Sequence, residues 1–320
     1  MHAAVVHTFA EPPRYDEFPD PVATGPGEEV VEVLASGLHP RVRSQADGTH
    51  YTATDELPLV PGVDGVGRRA DGSLLYFVLP DTALGAMADK TLVDPGRSIP
   101  VPNSIDPVLL AAAMNPAMSS WVALKRRVTF TPGQAVLILG ATGSAGRLAI
   151  QTARFLGAGR IVAAGRGAER LAALTALGAT DTVDLAGDDE TVAQELAAKA
   201  ADVDVVLDYL WGPVTEKAIM PLLLARTDRS RLLSWVEIGS VAGPDIALPS
   251  AALRQANVCF SGSGQGSVSA AGILRELPDL VAEIGRGTFS VDAVARPLAE
   301  VAEAWADAPA RATERVVLVP

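Results

Sequence analysis

Glycines at 140, 143 and 146, in the run Gly140-Ala141-Thr142-Gly143-Ser144-Ala145-Gly146, give this 320-residue chain its segment best suited to chemistry. A backbone turn with few side chains exposes its amide N–H groups, and such groups gather anionic oxygen. The run follows an almost purely apolar stretch, Ala135–Leu139, too short for a helix and readable as a buried strand. Apolar residues then recur at Ala145, Leu148, Ala149, Ala153 and Leu156, the spacing of a helix face packed on a sheet. Strand, glycine turn and helix together predict a dinucleotide site. Gly143 would let the backbone approach the pyrophosphate, and Gly146 would let helix and strand pack closely. Gly140, Thr142, Ser144 and Ala145 complete the turn, while Ala141 stands where the first glycine of the usual pattern falls.

The next buried run, Arg160–Gly165, predicts a second parallel strand that ends in Gly165-Arg166. At that distance from the glycines an NAD site places a carboxylate against the ribose hydroxyls. A carboxylate would repel a 2′-phosphate, whereas a guanidinium donates two charge-assisted bonds to it. Arg166, with Arg170 one turn later, therefore points to NADPH.

The rest of the chain must position this turn. Hydrophobic residues make up 48%, with 29 Gly and 23 Pro, the profile of a globular chain with room for two cores. A formal net charge of −12 argues against nucleic-acid or anionic-membrane surfaces. Met1–Phe9 lacks a basic region before an apolar one, and Pro107–Leu124 is interrupted by Asn115, Pro116, Ser119 and Ser120, a poor membrane span. A cytoplasmic protein is expected. The single cysteine, Cys259, allows neither an internal disulfide nor a multi-cysteine zinc site, and reads as a buried small hydrophobe.

From Met1 to about Asp94, short strands alternate with Gly, Pro and Asp turns, the texture of a partly open antiparallel barrel. From about Pro116 the pattern becomes strand–helix alternation, with strands near 135–140, 160–165, 180–184, 203–208 and 231–238. Helices fall near 144–157, 168–177, 189–200 and 214–224, and the whole predicts a doubly wound parallel sheet. Further helices are expected near 268–286 and 298–306, and a last strand, Arg315–Val319, returning to the first domain. None of the four tyrosines is followed by lysine at Tyr-x-x-x-Lys spacing, which excludes the short-chain dehydrogenases.

In order along the chain, Val31–Pro40 (VEVLASGLHP), Leu57–Gly67 (LPLVPGVDGVG), Met118–Leu124, the glycine turn, Leu177–Asp184, Val203–Gly212, Trp235–Gly243 and Pro297–Trp305 match a known series. Through them the chain resembles the medium-chain dehydrogenase/reductase superfamily, in its zinc-free quinone oxidoreductase, zeta-crystallin-like branch. The resemblance implies an α/β architecture of two domains. One is a Rossmann doubly wound parallel sheet at 118–261 binding NADPH, and the other a GroES-like, partly open barrel at 1–117 and 262–320. Zinc-dependent members carry Cys and Gly-His-Glu where this chain has Leu38 and Gly62-Val63-Asp64, so no metal ligand set is expected. Asp64 reads as structural, orienting the turn at Pro61-Gly62.

The resemblance further implies that Ser119, Gly239 and Ser240 line the nicotinamide end. Without a metal, a simple ketone is poorly polarised, while a quinone or enone needs less help. The substrate-facing donors are then Tyr51, which resembles the tyrosine of the branch's G-x-Y motif, and His39, in place of the branch's Asn; a packing or capping role for His39 is the alternative. The expected function is NADPH-dependent reduction of a quinone or α,β-unsaturated carbonyl. Reduction of another small carbonyl compound, or a non-catalytic NADPH-binding redox sensor, are the other readings. A homodimer paired through the edge strand near Asn257–Ser261 is also implied.

Overall fold

The computed structural model describes residues 1–308 and 313–320. They form two compact units: Met1–Asn115 with Ala270–Gly287 and Val291–Pro320, and Pro116–Ser269 with Thr288–Ser290.

The first unit is β-rich. Its strands are β1 (His2–Val5), β2 (Arg14–Glu17), β3 (Glu29–Gly37), β4 (Asp64–Arg68), β5 (Leu74–Val78), β6 (Lys90–Val93) and β7 (Ser98–Val101). A short helix α1 (Pro40–Ala46) follows β3, and α2 (Pro107–Val122) leads onward. In α2, Asn115 and Pro116 do not break the helix as the sequence suggests. Ser119 and Ser120 stay helical by donating their hydroxyls to the carbonyls of Pro116 and Ala117, at 2.7 and 3.1 Å. Over Pro107–Arg127 the segment is long and apolar enough to cross a membrane, but two thirds of that window is buried inside the protein, as in a core helix.

The second unit is built on six parallel strands: β8 (Ala135–Leu139), β9 (Arg160–Gly165), β10 (Asp181–Asp184), β11 (Val205–Asp208), β12 (Leu233–Glu237) and β13 (Val258–Gly262). The connecting helices are α3 (Ser144–Phe155), α4 (Ala168–Ala172), α5 (Leu174–Leu177), α6 (Asp189–Ala200), α7 (Gly212–Ala225) and the short α8 (Ala252–Gln255). The helix expected near 168–177 is therefore two short ones. The stretch expected at 268–286 likewise divides, into α9 (Ala270–Leu274) and α10 (Leu277–Gly285), both in the first unit. After them come β14 (Asp292–Pro297), α11 (Val301–Asp307) and β15 (Glu314–Val319). The last strand does return to the first unit's sheet, ordered β14-β15-β3-β4-β5-β7 with β6 also on β3.

Strand order β10-β9-β8-β11-β12-β13 sends successive crossovers one way from β8 and the other way from β11. The topological switch point, where parallel sheets bind ligands at their carboxyl ends, therefore lies between β8 and β11. Both faces of the sheet are covered. Val136, Ile138, Ile161, Val205 and Leu207 pack on one side, and Leu137, Leu139, Val162, Val206 and Trp235 on the other. Burial on both faces is why these strands read as continuous apolar runs. At the edge strand β13, Cys259 is exposed rather than buried. An edge strand covers its side chains less, so a small hydrophobe in an apolar run does not guarantee a core position.

Turn and helix meet at Gly146, where a Cβ would lie 2.3 Å from the Gly140 carbonyl oxygen and 2.6 Å from the Ala141 Cα. At Gly143 the nearest such atom is 3.6 Å away. Gly146→Ala should accordingly destabilise the protein by about 1–3 kcal/mol, the usual range for overpacking. Gly143→Ala should stay within about 0.5 kcal/mol of wild type, as for a substitution touching no buried feature. Chemical denaturation of both variants checks this, and equal losses would contradict the steric account.

Candidate functional site

The sequence folds the glycine turn at the carboxyl end of β8, on the β8 flank of the switch point. Gly140 takes φ +88°, which needs glycine, and its N–H and that of Ala141 both donate to the Ala164 carbonyl on β9, each at 2.9 Å. The positive-φ position is thus Gly140, so Ala141 costs the turn nothing. Gly143 is the N-cap of the twelve-residue α3. Among the described residues, the N–H groups of Thr142, Ser144 and Ala145 have no backbone acceptor. Three open donors at a helix N-terminus, with room above Gly143, fit a pyrophosphate.

Gly165 ends β9 against this turn, since a Cβ there would lie 2.6 Å from Thr142 Cγ2. Beside it Arg166 lines a cavity of about 220 Å³ with Leu185, Val192, Pro213, Val214 and Lys217 among its walls. Arg166 has no hydrogen-bond or ion-pair partner among the described residues. Arg170 lies over Gly167, its Nε 3.1 Å from where a Cβ would stand. An apolar slot with an unpaired guanidinium at its rim suits a base and a phosphate.

The opposite wall of the switch point is Tyr209-Leu210-Trp211, following β11. A Cβ on Gly140 would lie 3.1 Å from Leu210 Cδ2 and 3.2 Å from Tyr209 Cβ. Asp208, fully buried, fixes this wall. It accepts the N–H groups of Leu210 and Trp211 on Oδ1, at 2.9 and 3.0 Å. Its Oδ2 accepts the Thr215 hydroxyl and the Trp235 indole N–H, at 2.6 and 3.0 Å. Sequence reasoning missed Asp208; an aspartate closing an apolar strand was the available signal. Held this way, Trp211 keeps φ 51° and ψ −158°, the one non-glycine with positive φ among the described residues.

Ser119 donates its hydroxyl to Pro116, so the Tyr209 phenol donates to Ser119 Oγ at 2.9 Å. Burial pushes Tyr209 up to about 12, keeping it a phenol. Gly239 donates its N–H to the Asp208 carbonyl at 3.2 Å, placing the Gly239-Ser240 loop at the same end of the sheet. Ser119, Tyr209 and the Gly239-Ser240 loop thus gather at one edge of one sheet.

In the β-rich unit, His39 is a correction. It occupies the N-cap of α1, but its ring makes no capping bond. Instead its Nε2 donates to Asp64 Oδ1 at 3.1 Å, while Tyr76 donates to Oδ2 at 2.6 Å. All three are buried, so His39 is a packing and positioning residue rather than an open proton donor. Burial holds its pKa below the usual histidine value, with Asp64 pulling the other way. Arg315 is also buried nearby, pushed down to about 10 by desolvation, against which the Asp64 charge acts. Asp64 does not orient the Pro61-Gly62 turn through its side chain. That turn is held by Gln45, which accepts the Gly62 N–H at 3.0 Å, and by Ala86 and Met87, whose N–H groups donate to the Gly62 and Pro61 carbonyls.

Tyr51 is 73% exposed and lies on the His50 ring, centroids 4.2 Å apart. Counting from Gly48, the third place of a G-x-Y pattern falls on His50, and Tyr51 is one residue beyond it. His50 is half-buried, and Thr52 N–H donates to its Nδ1 at 3.2 Å. Burial first, and then the Arg41 charge, lower its pKa to about 4. The ring is therefore neutral at pH 7, one nitrogen a donor and the other an acceptor, with Nδ1 also 2.9 Å from Thr52 Oγ1. Thr52 is fixed in turn through Asp81, which accepts its hydroxyl at 2.6 Å and also pairs with Arg41.

Histidines with depressed folded pKa values take up protons more readily in the unfolded chain. Stability is then complete above the ordinary value of 6.5 and is lost as pH falls toward about 4. Thermal melts should show a lower Tm at pH 5 than at pH 7, and a smaller drop for His50→Gln. An unchanged drop in that variant would remove His50 from the account.

The family model described as "Zinc-binding dehydrogenase" matches residues 145–271, a stretch that contains neither Leu38 nor Val63. The curated "Probable NADPH-dependent quinone reductase tdiC" of Emericella nidulans is 34% identical over an alignment of 360 residues spanning 100% of both chains. Among solved structures, the quinone oxidoreductase of Thermus thermophilus, also determined with NADPH, superposes with TM-score 0.82 at 28% identity over 100% of both chains. A quinone oxidoreductase of Pseudomonas syringae shares the fold, with TM-score 0.83 at 23% identity over 100% of both chains. With its switch point, glycine turn and full-length similarity, the chain belongs to the medium-chain dehydrogenase/reductase superfamily, in its quinone oxidoreductase branch.

Proposed function

We propose that this protein is an NADPH-dependent reductase of a quinone or an α,β-unsaturated carbonyl compound, working without a metal, as a cytoplasmic homodimer. The observation that carries the cofactor is Gly165-Arg166 at the end of β9, where a guanidinium stands at the place of the ribose-binding carboxylate and borders the cavity. The named NADPH specificity of the full-length relative supports it. Thr142, Ser144 and Ala145 N–H groups would hold the pyrophosphate, Arg166 and Arg170 the 2′-phosphate, and Ser119, Gly239 and Ser240 the nicotinamide end. When bound, the nicotinamide supplies a hydride to an electrophilic carbon.

The chain's own task is then to orient the acceptor, exclude water and provide a hydrogen bond as charge grows on the carbonyl oxygen. We assign that donor role to the His50–Tyr51 edge, the neutral imidazole of His50 or the Tyr51 phenol. His39, committed to Asp64, acts by holding the segment that leads into α1. At the positions where zinc-dependent relatives carry thiolate and imidazole, Leu38 and Val63 are buried in an apolar cluster.

Arg166→Ala should weaken NADPH about 10- to 150-fold, since a charged hydrogen-bond partner is worth about 1.5–3 kcal/mol, and leave NADH nearly unchanged. Titration calorimetry decides it, and equal affinity of the native protein for both cofactors would refute the assignment. Turnover should survive exhaustive chelation; one tightly bound zinc per chain, with activity lost on its removal, would restore the metal-dependent reading. For the donor, Tyr51→Phe or His50→Gln should lower kcat about 10²-fold, the range for one oxyanion donor, with NADPH affinity unmoved. Full turnover in both variants would leave bulk water as the proton source.

A further inference from the structure

The cavity beside Arg166 has a second cation on its wall. Lys217, on α7, lines it together with Asp189, the first residue of α6, and the two form an ion pair at 2.8 Å. Arg166, Lys217 and Asp189 are the charged residues among its lining, and the remaining walls are Leu185, Gly187, Val192, Ala193, Pro213 and Val214. An apolar slot with two cations and one carboxylate at its rim is unbalanced for a neutral ligand and suited to a phosphorylated one.

The ion pair itself does little for the fold. Both partners are mostly exposed, 57% for Lys217 and 72% for Asp189, and exposed pairs contribute little because water and salt screen them. The α6 terminus does not need it, since Asp188 already caps the helix by accepting the Thr191 N–H at 2.9 Å. A phosphate carrying about two negative charges competes well for an ammonium held by one solvated carboxylate.

We propose that Lys217 is a second specificity-determining residue for the 2′-phosphate, exchanging Asp189 for the phosphate when the dinucleotide binds. Asp189 then works as a competitor that acts only through Lys217, occupying its ammonium in the free protein. This rests on the reading that Arg166 receives a 2′-phosphate.

The test compares adenosine 2′,5′-bisphosphate with adenosine 5′-monophosphate by titration calorimetry on the full chain, so that neither turnover nor hydride transfer is involved. Lys217→Gln should weaken the bisphosphate about 5- to 20-fold and the monophosphate less than twofold. Asp189→Asn should tighten the bisphosphate about threefold or more, an opposite sign that a merely structural ion pair would not produce. The Lys217→Gln/Asp189→Asn double variant should bind the bisphosphate like Lys217→Gln alone.

If Lys217→Gln leaves bisphosphate affinity unchanged, or weakens both ligands equally, the proposal is overturned while the Arg166 reading stands. Weakening in both single variants makes the pair structural and overturns it equally. If the native protein does not prefer the bisphosphate to the monophosphate, the 2′-phosphate reading fails first, and this proposal with it. Circular-dichroism melts of the three variants within a few degrees of wild type exclude misfolding as the cause.

Discussion

Asp208 has no solvent to satisfy it, so every oxygen of its carboxylate must find donors inside the protein. It finds four, on the loop that follows it, on α7 and on β12. Its backbone carbonyl accepts two more, from Ile238 and Gly239, at 2.7 and 3.2 Å. One residue thus ties together the end of β11, the start of α7 and the loop after β12. These are the pieces that face the glycine turn across the switch point. Hydrogen bonds to a charged group are stronger than neutral ones, and removing the acceptor would orphan several buried donors at once. That is enough to hold Trp211 in a backbone region that costs on the order of 1–3 kcal/mol for a side chain to enter. The wall is stiff because its strain is paid for at Asp208, and a stiff wall fixes where a ligand can lie.

Opposite that wall the chain supplies donors rather than charge. The open N–H groups at the start of α3 need no counter-ion, so this turn can receive an anion without basic side chains while the protein as a whole carries −12. Positive charge lies instead after β9, on Arg166 and Arg170, and on Lys217 across the cavity from Arg166, where it is paired with Asp189. This division has a physical logic. Backbone donors cannot discriminate NADPH from NADH, because both share the pyrophosphate, so the discrimination must sit where the two molecules differ.

The sequence reveals elements whose signal is local and hides those whose signal is tertiary. The run Ala135–Leu139, the glycine turn and the helix that follows were legible because apolar residues repeat at the spacing of a strand and then of a helix. Gly165-Arg166 was legible because it sits at a fixed distance from the turn. Nothing local announces that His39, Asp64 and Tyr76 meet: they lie 25 and 12 residues apart, and only the pairing of β3, β4 and β5 brings them together. His39 next to Pro40 looks like a helix cap because an N-cap position is readable, while the direction of its ring is not. Tyr51 drew attention as an aromatic near a glycine, while nothing local announces that its neighbour His50 meets Thr52 through Nδ1. Asn115-Pro116 looked like an interruption, and the helix passes through it because a proline costs one hydrogen bond that surrounding burial can offset.

The same cluster explains what became of the metal-ligand positions. Leu38 and Val63 are core residues, packed among Val5, Val42, Leu59 and Val301. Each is followed by a polar residue that turns inward, His39 after Leu38 and Asp64 after Val63, and these two bond to each other. A carboxylate engaged by both His39 and Tyr76 has both oxygens occupied by donors. Its remaining negative charge is balanced by Arg315 through the buried interior. Burying such a group is expensive without partners, and the His39 and Tyr76 hydrogen bonds with the Arg315 charge lower that cost. In the β-rich unit, apolar packing and a buried polar cluster thus fill the positions that elsewhere in the superfamily hold a cation.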